Sequence, residues 1–350
     1  SMQDCSHHFD PENLNPYHLE GDVFTHTMMV HKNSEHFSPD NNLVKWSTLL
    51  HDIGKPLSRK EVPERKRVRF IGHEGVSAYM CADILNKTNI SVEDKIQIFK
   101  LVAVHGNLFH HINSDCSIKP DIAKVFKGEK TLLENLTHQV RCDSIGRWYK
   151  LDHQNDVLFT RKLPELFEGI IDLLTDGPSK NINDESKPLL TVLVGPPGSR
   201  KSTWRENNKT SDTVVISRDD LLEAFGKEKG MNYSETFSYL RENPEISKQH
   251  IDEVMAAKIK NARDNNKDVI VDMTSMSKKS RRRWVSEFGK YRKRAITFVT
   301  GFDALLECNK KRGLETGKII SKDVIVSMCK RFSLPMQGEG FDETEIVWND

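Results

Sequence analysis

Apolar residues along this chain recur with two different periods, and the change between them divides it. The first half is spaced as helices. "LVKWSTLLHDIGK" puts Leu43, Trp46, Leu50 and Ile53 on one helix face. "VEDKIQIFKLVAVHG" does the same with Ile96, Phe99 and Val102, and Gly106 offers a C-terminal cap. "LPELFEGIIDLLTDG" predicts one more amphipathic helix. Almost nothing in this half alternates with period two. After residue 188 the pattern becomes short β-branched runs, "LLTVLVG", "TVVIS", "DVIVDM" and "AITFVTG". Helical stretches such as "PEISKQHIDEVMAAKIKNARDNN" separate them. That alternation predicts a parallel sheet covered on both faces.

Between the two patterns runs "TDGPSKNINDESKP", polar and punctuated by Gly and Pro, which is a linker composition. The expected division is an all-α domain over residues 1–178, a linker over 179–188 and an α/β domain over 189–350, with the boundary near residue 180. The length, 350 residues, agrees with two domains.

Charge and cysteine content narrow the possibilities. The net charge is +1, so there is no global basic field, and any nucleic-acid binding has to use local patches. Six cysteines (Cys5, Cys81, Cys116, Cys142, Cys308 and Cys329) form no C-x-x-C pair, which points to a reducing compartment. There is no long apolar run, signal-peptide core or lipidation motif, so no membrane association and a cytoplasmic location are expected. Ser1 before Met2 reads as a tag remnant.

Thirteen of the fourteen histidines precede residue 154, and several stand beside aspartates. The candidates for metal ligation are His26, His51, Asp52, His73, His105 and Asp143. His51 and Asp52 are adjacent on a predicted helix, where both can reach an ion lying alongside it. Mixed nitrogen and oxygen ligands suit Mn, Fe, Co, Ni or Zn better than Mg. Such an ion lowers the pKa of bound water and polarises a phosphoryl oxygen. Spacing alone leaves ligation and ordinary packing evenly balanced. His7, His8, His18, His31, His36, His110, His111, His138 and His153 are assigned to packing or to the surface.

The segments "GDVFTHTMMVH", "LLHDIGKP", "IGHEG", "VAVHGN" and "RCDSIGR" together resemble the HD-domain phosphohydrolase family. The resemblance implies that His26, His51, Asp52 and Asp143 are core ligands. His73 and His105 would hold a second metal, with Asp52 bridging, so one or two divalent transition metals are implied. It also places Lys55 as a catalytic, phosphate-contacting lysine. "NPYHLEGDVFTHTMMVH" and "CDSIGRW" look most like the HD domain appended to bacterial tRNA nucleotidyltransferases, which acts on 2′,3′-cyclic phosphates. By that likeness Arg147 contacts a substrate phosphate.

In the second half, "TVLVGPPGSRKSTW" is a strand, a loop and a helix carrying nearly the G-x-x-x-x-G-K-[ST] pattern of a phosphate-binding loop. Gly195 lets the chain turn and Gly198 lets amides approach an anion. Lys201 can reach the β- and γ-phosphates and Ser202 can hold Mg²⁺. Arg200 stands where the second glycine is usual. In "VISRDDL", Asp219 lies at the carboxyl end of a parallel strand, where it can accept a hydroxyl proton. A helix N-cap is the structural alternative for Asp219 or Asp220.

"GPPGSRKSTW", "ISRDD", "VIVDMTSMSKKSRRRW", "GFDALLECNKKRG" and "ISKDVIVSMCKRF" resemble, in order, the 5′-OH polynucleotide kinases of phage and bacterial end healing. The implied fold is an adenylate-kinase-like P-loop domain with a parallel sheet. The implied cofactor is ATP or another NTP with Mg²⁺, bound by Gly195, Gly198, Ser199, Lys201, Ser202, Thr203 and Arg312. Asp219 is the implied general base. Lys201 and the lid residue Arg312 act on the donor, and Arg218 and Asp272 lie near the acceptor. Leu222 replaces the family's acceptor-gripping arginine, and Cys308 occupies a second lid position. Arg241 or the run "KKSRRR" over 278–283 could substitute, and a solvated charged face accounts for that run equally well.

As a whole the chain resembles the fused HD-domain polynucleotide kinases. That implies a bifunctional end-healing enzyme acting on nucleic-acid ends, RNA favoured and DNA possible, with a separate ligase as functional partner. Two other readings stay open. One is an HD nucleotidase fused to a small-molecule kinase. The other is a degenerate P-loop nucleotide sensor.

Overall fold

The computed structural model describes residues 1–113, 115, 117–153, 159–176 and 186–349. Cys116, the predicted boundary near residue 180 and most of the predicted linker lie outside them. The chain forms two compact units. The first is Ser1–Pro178 with Cys329–Gly338, and the second is Ser179–Met328 with Glu339–Asp350.

The first unit is built on α1 (Val23–Phe37), α2 (Asn42–Leu50), α3 (Lys55–Ser58), α4 (His73–Leu85), α5 (Val92–Val104), α6 (Asp121–Val125) and α7 (Lys130–Ile145). Asp22, Asn41 and Ser91 cap α1, α2 and α5 by accepting backbone N–H bonds. Val30, Val44, Leu50, Ile98, Phe99, Leu136 and Val140 are buried between them.

Three details depart from the sequence expectation. The helix through "LVKWSTLLHDIGK" stops at Leu50, and His51–Gly54 form a tight turn before α3. A Cβ at Gly54 would lie 2.5 Å from the Ser77 nitrogen, so the turn depends on glycine. Helix α5 is capped by His105 rather than Gly106. The predicted helix "LPELFEGIIDLLTDG" is two short ones, α8 (Leu163–Phe167) and α9 (Ile171–Thr175), because Gly169 turns left-handed at φ 78°.

The unit also carries an antiparallel hairpin that the sequence pattern did not reveal, β1 (Lys60–Val62) and β2 (Arg67–Arg69). Four of its six strand residues are charged and each strand has a single valine, so no run of apolar alternation marks them.

Residues Cys329–Gly338 complete this unit. Phe332 packs edge-on against Tyr79, with centroids 5.3 Å apart, and tilted against Phe99 at 5.8 Å. Gly75 admits this segment's backbone closely: a Cβ there would come within 2.1 Å of the Cys329 carbonyl oxygen.

In the second unit β3 (Leu189–Val194), β4 (Val214–Ile216), β5 (Val269–Asp272), β6 (Arg292–Thr300) and β7 (Glu343–Asn349) form one parallel sheet in the order β4-β5-β3-β6-β7. The four predicted strands are present, and β7 is an addition. The central strand β3 buries Leu190, Val192, Leu193 and Val194. The helices are α10 (Lys201–Asn208), α11 (Arg218–Lys229), α12 (Tyr233–Glu242), α13 (Pro244–Ser247), α14 (Glu253–Asp264), α15 (Lys278–Glu287), α16 (Phe302–Thr316) and α17 (Lys322–Lys330), whose last residues belong to the first unit. No helix among the described residues is long and apolar enough to cross a membrane.

Candidate metal centre and phosphate-loop site

In the first unit the six predicted ligands converge on Asp52. Its Oδ2 lies 3.1 Å from His51 Nε2 and 3.5 Å from His26 Nε2. Its Oδ1 lies 3.2 Å from His73 Nε2 and 3.8 Å from His105 Nε2. Asp143 Oδ1 is 3.1 Å from His26 Nε2. The ligand atoms form two groups, His26–His51–Asp143 and Asp52–His73–His105, each within 4.8 Å. Asp52 stands between the two, one oxygen toward each.

What aims these rings is a set of acceptors behind them. The Nδ1 atoms of His51, His73 and His105 face the backbone carbonyls of Thr48, Phe70 and Val102 at 2.7–2.8 Å. Each carbonyl is three residues upstream, as the end of a helical turn provides. His26 Nδ1 instead faces Glu20 Oε1 at 3.0 Å. For His51, His73 and His105, Nδ1–H donation leaves Nε2 free as a lone-pair ligand. The buried Nε2 atoms of His26 and His51 and the buried Asp52 Oδ1 have no hydrogen-bond partner. Buried polar atoms of this kind call for a partner, and a divalent ion fits this donor set.

The electrostatics agree. Burial would raise Asp52, but His51, Lys55 and His73 hold it well below the usual carboxylate range. Burial likewise opposes ionisation of Asp143, and Arg147 and His26 overcome it. Burial and the neighbouring His73 and His51 lower His105 to about 4. Lys55 Nζ is 2.7 Å from Asp52 Oδ2, and Arg147 Nε is 3.0 Å from Asp143 Oδ1. Lys55, Arg147 and the ligands other than His26 line a cavity of about 460 Å³, and His26 sits behind it.

Two histidines assigned from sequence to packing or surface belong to this centre. His18 lines the cavity and stacks on His7 at 4.2 Å. His7 Nε2 meets Lys55 Nζ at 3.1 Å. His18 Nδ1 lies 2.8 Å from Glu20 Oε1, so Glu20 holds both His18 and His26. Burial lowers His18 to about 3. Glu20 and Glu74, the latter 3.5 Å from His73, were not singled out in the sequence. The order of "HLEG" gave no sign that Glu20 turns back onto α1.

In the second unit Gly198, Ser199, Lys201, Ser202, Thr203, Arg218, Asp219, Asp272 and Arg312 line one cavity of about 540 Å³. Gly195 opens the loop, its N–H donating to the Thr274 carbonyl. Arg200 caps α10 with φ 63°, ψ 18°, the left-handed conformation that the missing glycine would take. Gly198 is left-handed too, at φ 89°. Lys201 Nζ donates to the Gly195 and Pro196 carbonyls at 2.8 Å, and burial lowers it to about 8. Ser202 Oγ donates to Asp272 Oδ2 at 2.9 Å.

Ser217 caps α11, donating no role to either aspartate: its Oγ accepts from the Asp220 N–H. The two carboxylates diverge. Asp220 receives Arg205 at 2.9 Å, and the same guanidinium reaches Asp272. Asp219 accepts from the Tyr233 hydroxyl at 2.8 Å and pairs with Lys318. Burial opposes ionisation of Asp219, and Lys318 and Tyr233 hold it below the usual range. Arg205, Tyr233 and Lys318 are residues that the motifs did not name. Arg218 Nη1 pairs with Asp252 at 2.8 Å, and Arg312 lies 3.9 Å from Glu223.

Leu222 packs in a core cluster with Phe225, Leu240 and Ile251, so it faces away from solvent. The "KKSRRR" run splits: Arg281 is fully buried, bonded to Glu339 and to the Ser275 and Met276 carbonyls, whereas Lys278, Lys279, Arg282 and Arg283 are exposed.

Comparison with known proteins assigns both units. Residues 23–139 match the HD domain family, and residues 190–335 match the AAA domain family. The chain is 34% identical over 90 residues to an A-adding tRNA nucleotidyltransferase from Deinococcus radiodurans, which covers 25% of this chain and 20% of that protein. It thus spans about a fifth of that relative's length. A solved structure described as the Pnkp1/Rnl/Hen1 RNA repair complex aligns over 43% of this chain and 47% of its own, with 24% identity and a TM-score of 0.32.

Proposed function

We propose that this chain, an HD domain followed by a P-loop kinase-like domain, prepares both ends of a broken polynucleotide for joining. The first unit hydrolyses a 2′,3′-cyclic phosphate or related 3′-phosphoester. The second transfers the γ-phosphoryl of an NTP to a 5′-hydroxyl. The observation that carries this reading is that each site pairs a phosphate-handling apparatus with the group its reaction needs.

In the first unit His26, His51, Asp143, Asp52, His73 and His105 would hold one or two divalent transition ions, and the two faces of Asp52 support two. A bound ion supplies a Lewis acid and lowers the pKa of water so that it attacks phosphorus at neutral pH. Lys55 and Arg147, already paired with Asp52 and Asp143, offer cationic donors to the phosphoryl oxygens.

In the second unit the amides at the start of α10 and Lys201 would cradle the donor phosphates, and Ser202 and Asp272 would hold Mg²⁺, which would neutralise phosphate charge. Lys201 then exchanges its two loop carbonyls for phosphate oxygens. Asp219 accepts the proton of the 5′-hydroxyl as its oxygen bonds to the γ-phosphorus and the bond to the nucleoside diphosphate breaks. Arg312 offsets the charge spreading over the transferred group. Keeping Lys201, Ser202, Asp219, Asp272 and Arg312 around one cavity speaks against a degenerate sensor.

The test is an oligonucleotide with a 5′-hydroxyl and a 2′,3′-cyclic phosphate, incubated with NTP and Mg²⁺, Mn²⁺, Ni²⁺ or Co²⁺. Both ends should change. Asp52→Ala should remove only the 3′ reaction and Lys201→Ala only the 5′ reaction. Phosphorylation of free nucleosides in preference to oligonucleotides would favour a small-molecule kinase instead. The same reading implies a ligase as the consumer of the products and a cytoplasmic setting.

A further inference from the structure

The hairpin β1–β2 stands at the metal cavity and is strongly cationic. Between Arg59 and Arg69 lie six cationic residues and two acidic ones, in a protein whose net charge is +1. Arg59 is taken up locally: it pairs with Glu61 at 2.7 Å, and its other nitrogens donate to the Ser6 and His8 carbonyls. That tether anchors the hairpin, whose three-residue strands would be marginal alone. Lys60, Arg65, Lys66, Arg67 and Arg69 are exposed. The register pairs Lys60 with Arg69 and Val62 with Arg67, so Lys60, Arg67 and Arg69 share one face. Slight desolvation and the neighbouring Arg69 and Arg65 charges lower the Arg67 guanidinium, as like charges held together do.

The placement gives this charge a use. Val68, Arg69, Phe70 and Ile71 form part of the wall of the metal cavity, and the Phe70 carbonyl orients the ligand His73. Val68 also belongs to a second cavity of about 840 Å³, walled by Arg65, Lys66 and Arg67 on one side and by Tyr17 and Lys150 on the other. The hairpin is therefore the partition between the reacting centre and a cationic groove. A polyanion whose terminal phosphate enters the metal cavity can run along it, past the exposed cations and past Glu12 and Glu64 of the adjoining cavity.

We propose that the β1–β2 hairpin is a strand guide: it holds the phosphodiester backbone of single-stranded RNA leading to the 3′ end, so that the first unit selects polynucleotide ends over cyclic mononucleotides. This rests on the phosphoesterase reading above. The guide carries no sequence preference, because phosphate contacts position a strand without reading bases.

The test compares wild type with Arg65→Ala/Arg67→Ala on a 2′,3′-cyclic mononucleotide and on a short 5′-phosphorylated single-stranded RNA with a 2′,3′-cyclic phosphate end. The 5′-phosphate keeps the RNA from serving as a kinase acceptor. The ratio of kcat/KM for RNA to kcat/KM for mononucleotide should fall roughly tenfold at low salt. The slope of log(kcat/KM) for the RNA against log salt should become shallower by about 1.4, two phosphates' worth of counterion release on a single strand. Arg65→Lys/Arg67→Lys should restore most of both. If the ratio and the slope do not change, or if both substrates lose rate together, the hairpin is a structural partition and the proposal is overturned. If wild type turns over neither ester, the phosphoesterase reading fails separately. Fluorescence anisotropy with the same RNA then decides the hairpin: weaker binding by the alanine variant sustains it, and equal binding removes it.

Discussion

The two sites achieve order by opposite means. In the candidate metal centre four imidazoles are aimed from behind, by three backbone carbonyls and Glu20. In the phosphate-loop site the reactive groups hold one another. Lys201 folds onto its own loop, Ser202 and Arg205 share Asp272, and Lys318 and Tyr233 share Asp219. The first arrangement is preorganised, and ligand binding fills it. The second must exchange internal partners for substrate, so its activity should depend on how easily each pair lets go.

The difference is tested most severely at Asp52. Asp52→Asn removes the negative charge common to both ligand groups, and the 3′ reaction should fall by roughly a thousandfold or more, several kcal/mol of transition-state stabilisation. Kinase kcat should stay within about twofold of wild type. Metal content by mass spectrometry should drop with the 3′ rate. Retention of bound metal and activity would mean that Asp52 is not the common ligand.

Glu20 probes the aiming itself. Glu20→Ala leaves every ligand in place and removes the acceptor behind His26. Affinity for the ion should weaken about 10–100-fold, and excess metal should restore the 3′ rate. A variant unable to recover at any metal concentration would make Glu20 part of the chemistry rather than a positioning residue.

The candidate metal ligands are singled out in the sequence by their likeness to the HD-domain motifs, since spacing alone leaves ligation and packing evenly balanced, and the structure brings them together. Their supports are not singled out. Glu20 is an ordinary acidic residue in sequence, and it matters because the chain before α1 doubles back. His18 is assigned from sequence to packing or to the surface for the same reason. In the second unit the loop follows from its strand–loop–helix context, and Asp219 and Asp272 are chosen by the family resemblance, but Lys318 reaches Asp219 across 99 residues. No local pattern reports such a contact. The hairpin escaped for a different reason: charged residues on both faces erase the alternation that marks a half-buried strand.

Lys318 tests the other half of the comparison through pH. The Asp219 carboxylate must be ionised to accept a proton, so kinase kcat/KM is lost as pH falls through its pKa. Lys318 and Tyr233 depress that pKa against the effect of burial. Lys318→Ala should therefore move the acid limb to higher pH, and Lys318→Arg should largely restore it. A lower rate with an unmoved limb would show that Lys318 supports the fold of the lid and not the ionisation of Asp219.

The smallest effect is expected at Arg200, and it separates strain from function within the phosphate loop. A non-glycine residue at φ 63° costs about 1–2 kcal/mol relative to an ordinary conformation. Glycine removes that cost but adds freedom to the unfolded chain, worth about 0.5–1 kcal/mol in the other direction. Arg200→Gly should thus change unfolding stability by less than about 1 kcal/mol and leave the KM for ATP within about twofold. The residue lines the same cavity as Arg218 and Thr203, and Leu222, where the resemblance to polynucleotide kinases implies an acceptor-gripping arginine, is turned into the core. If the Arg200 guanidinium serves the acceptor, the glycine variant raises the KM of the 5′-hydroxyl strand severalfold at constant kcat. If that KM does not move, the strained arginine has no part in acceptor binding, and the exposed cations of "KKSRRR" become the next candidates to substitute.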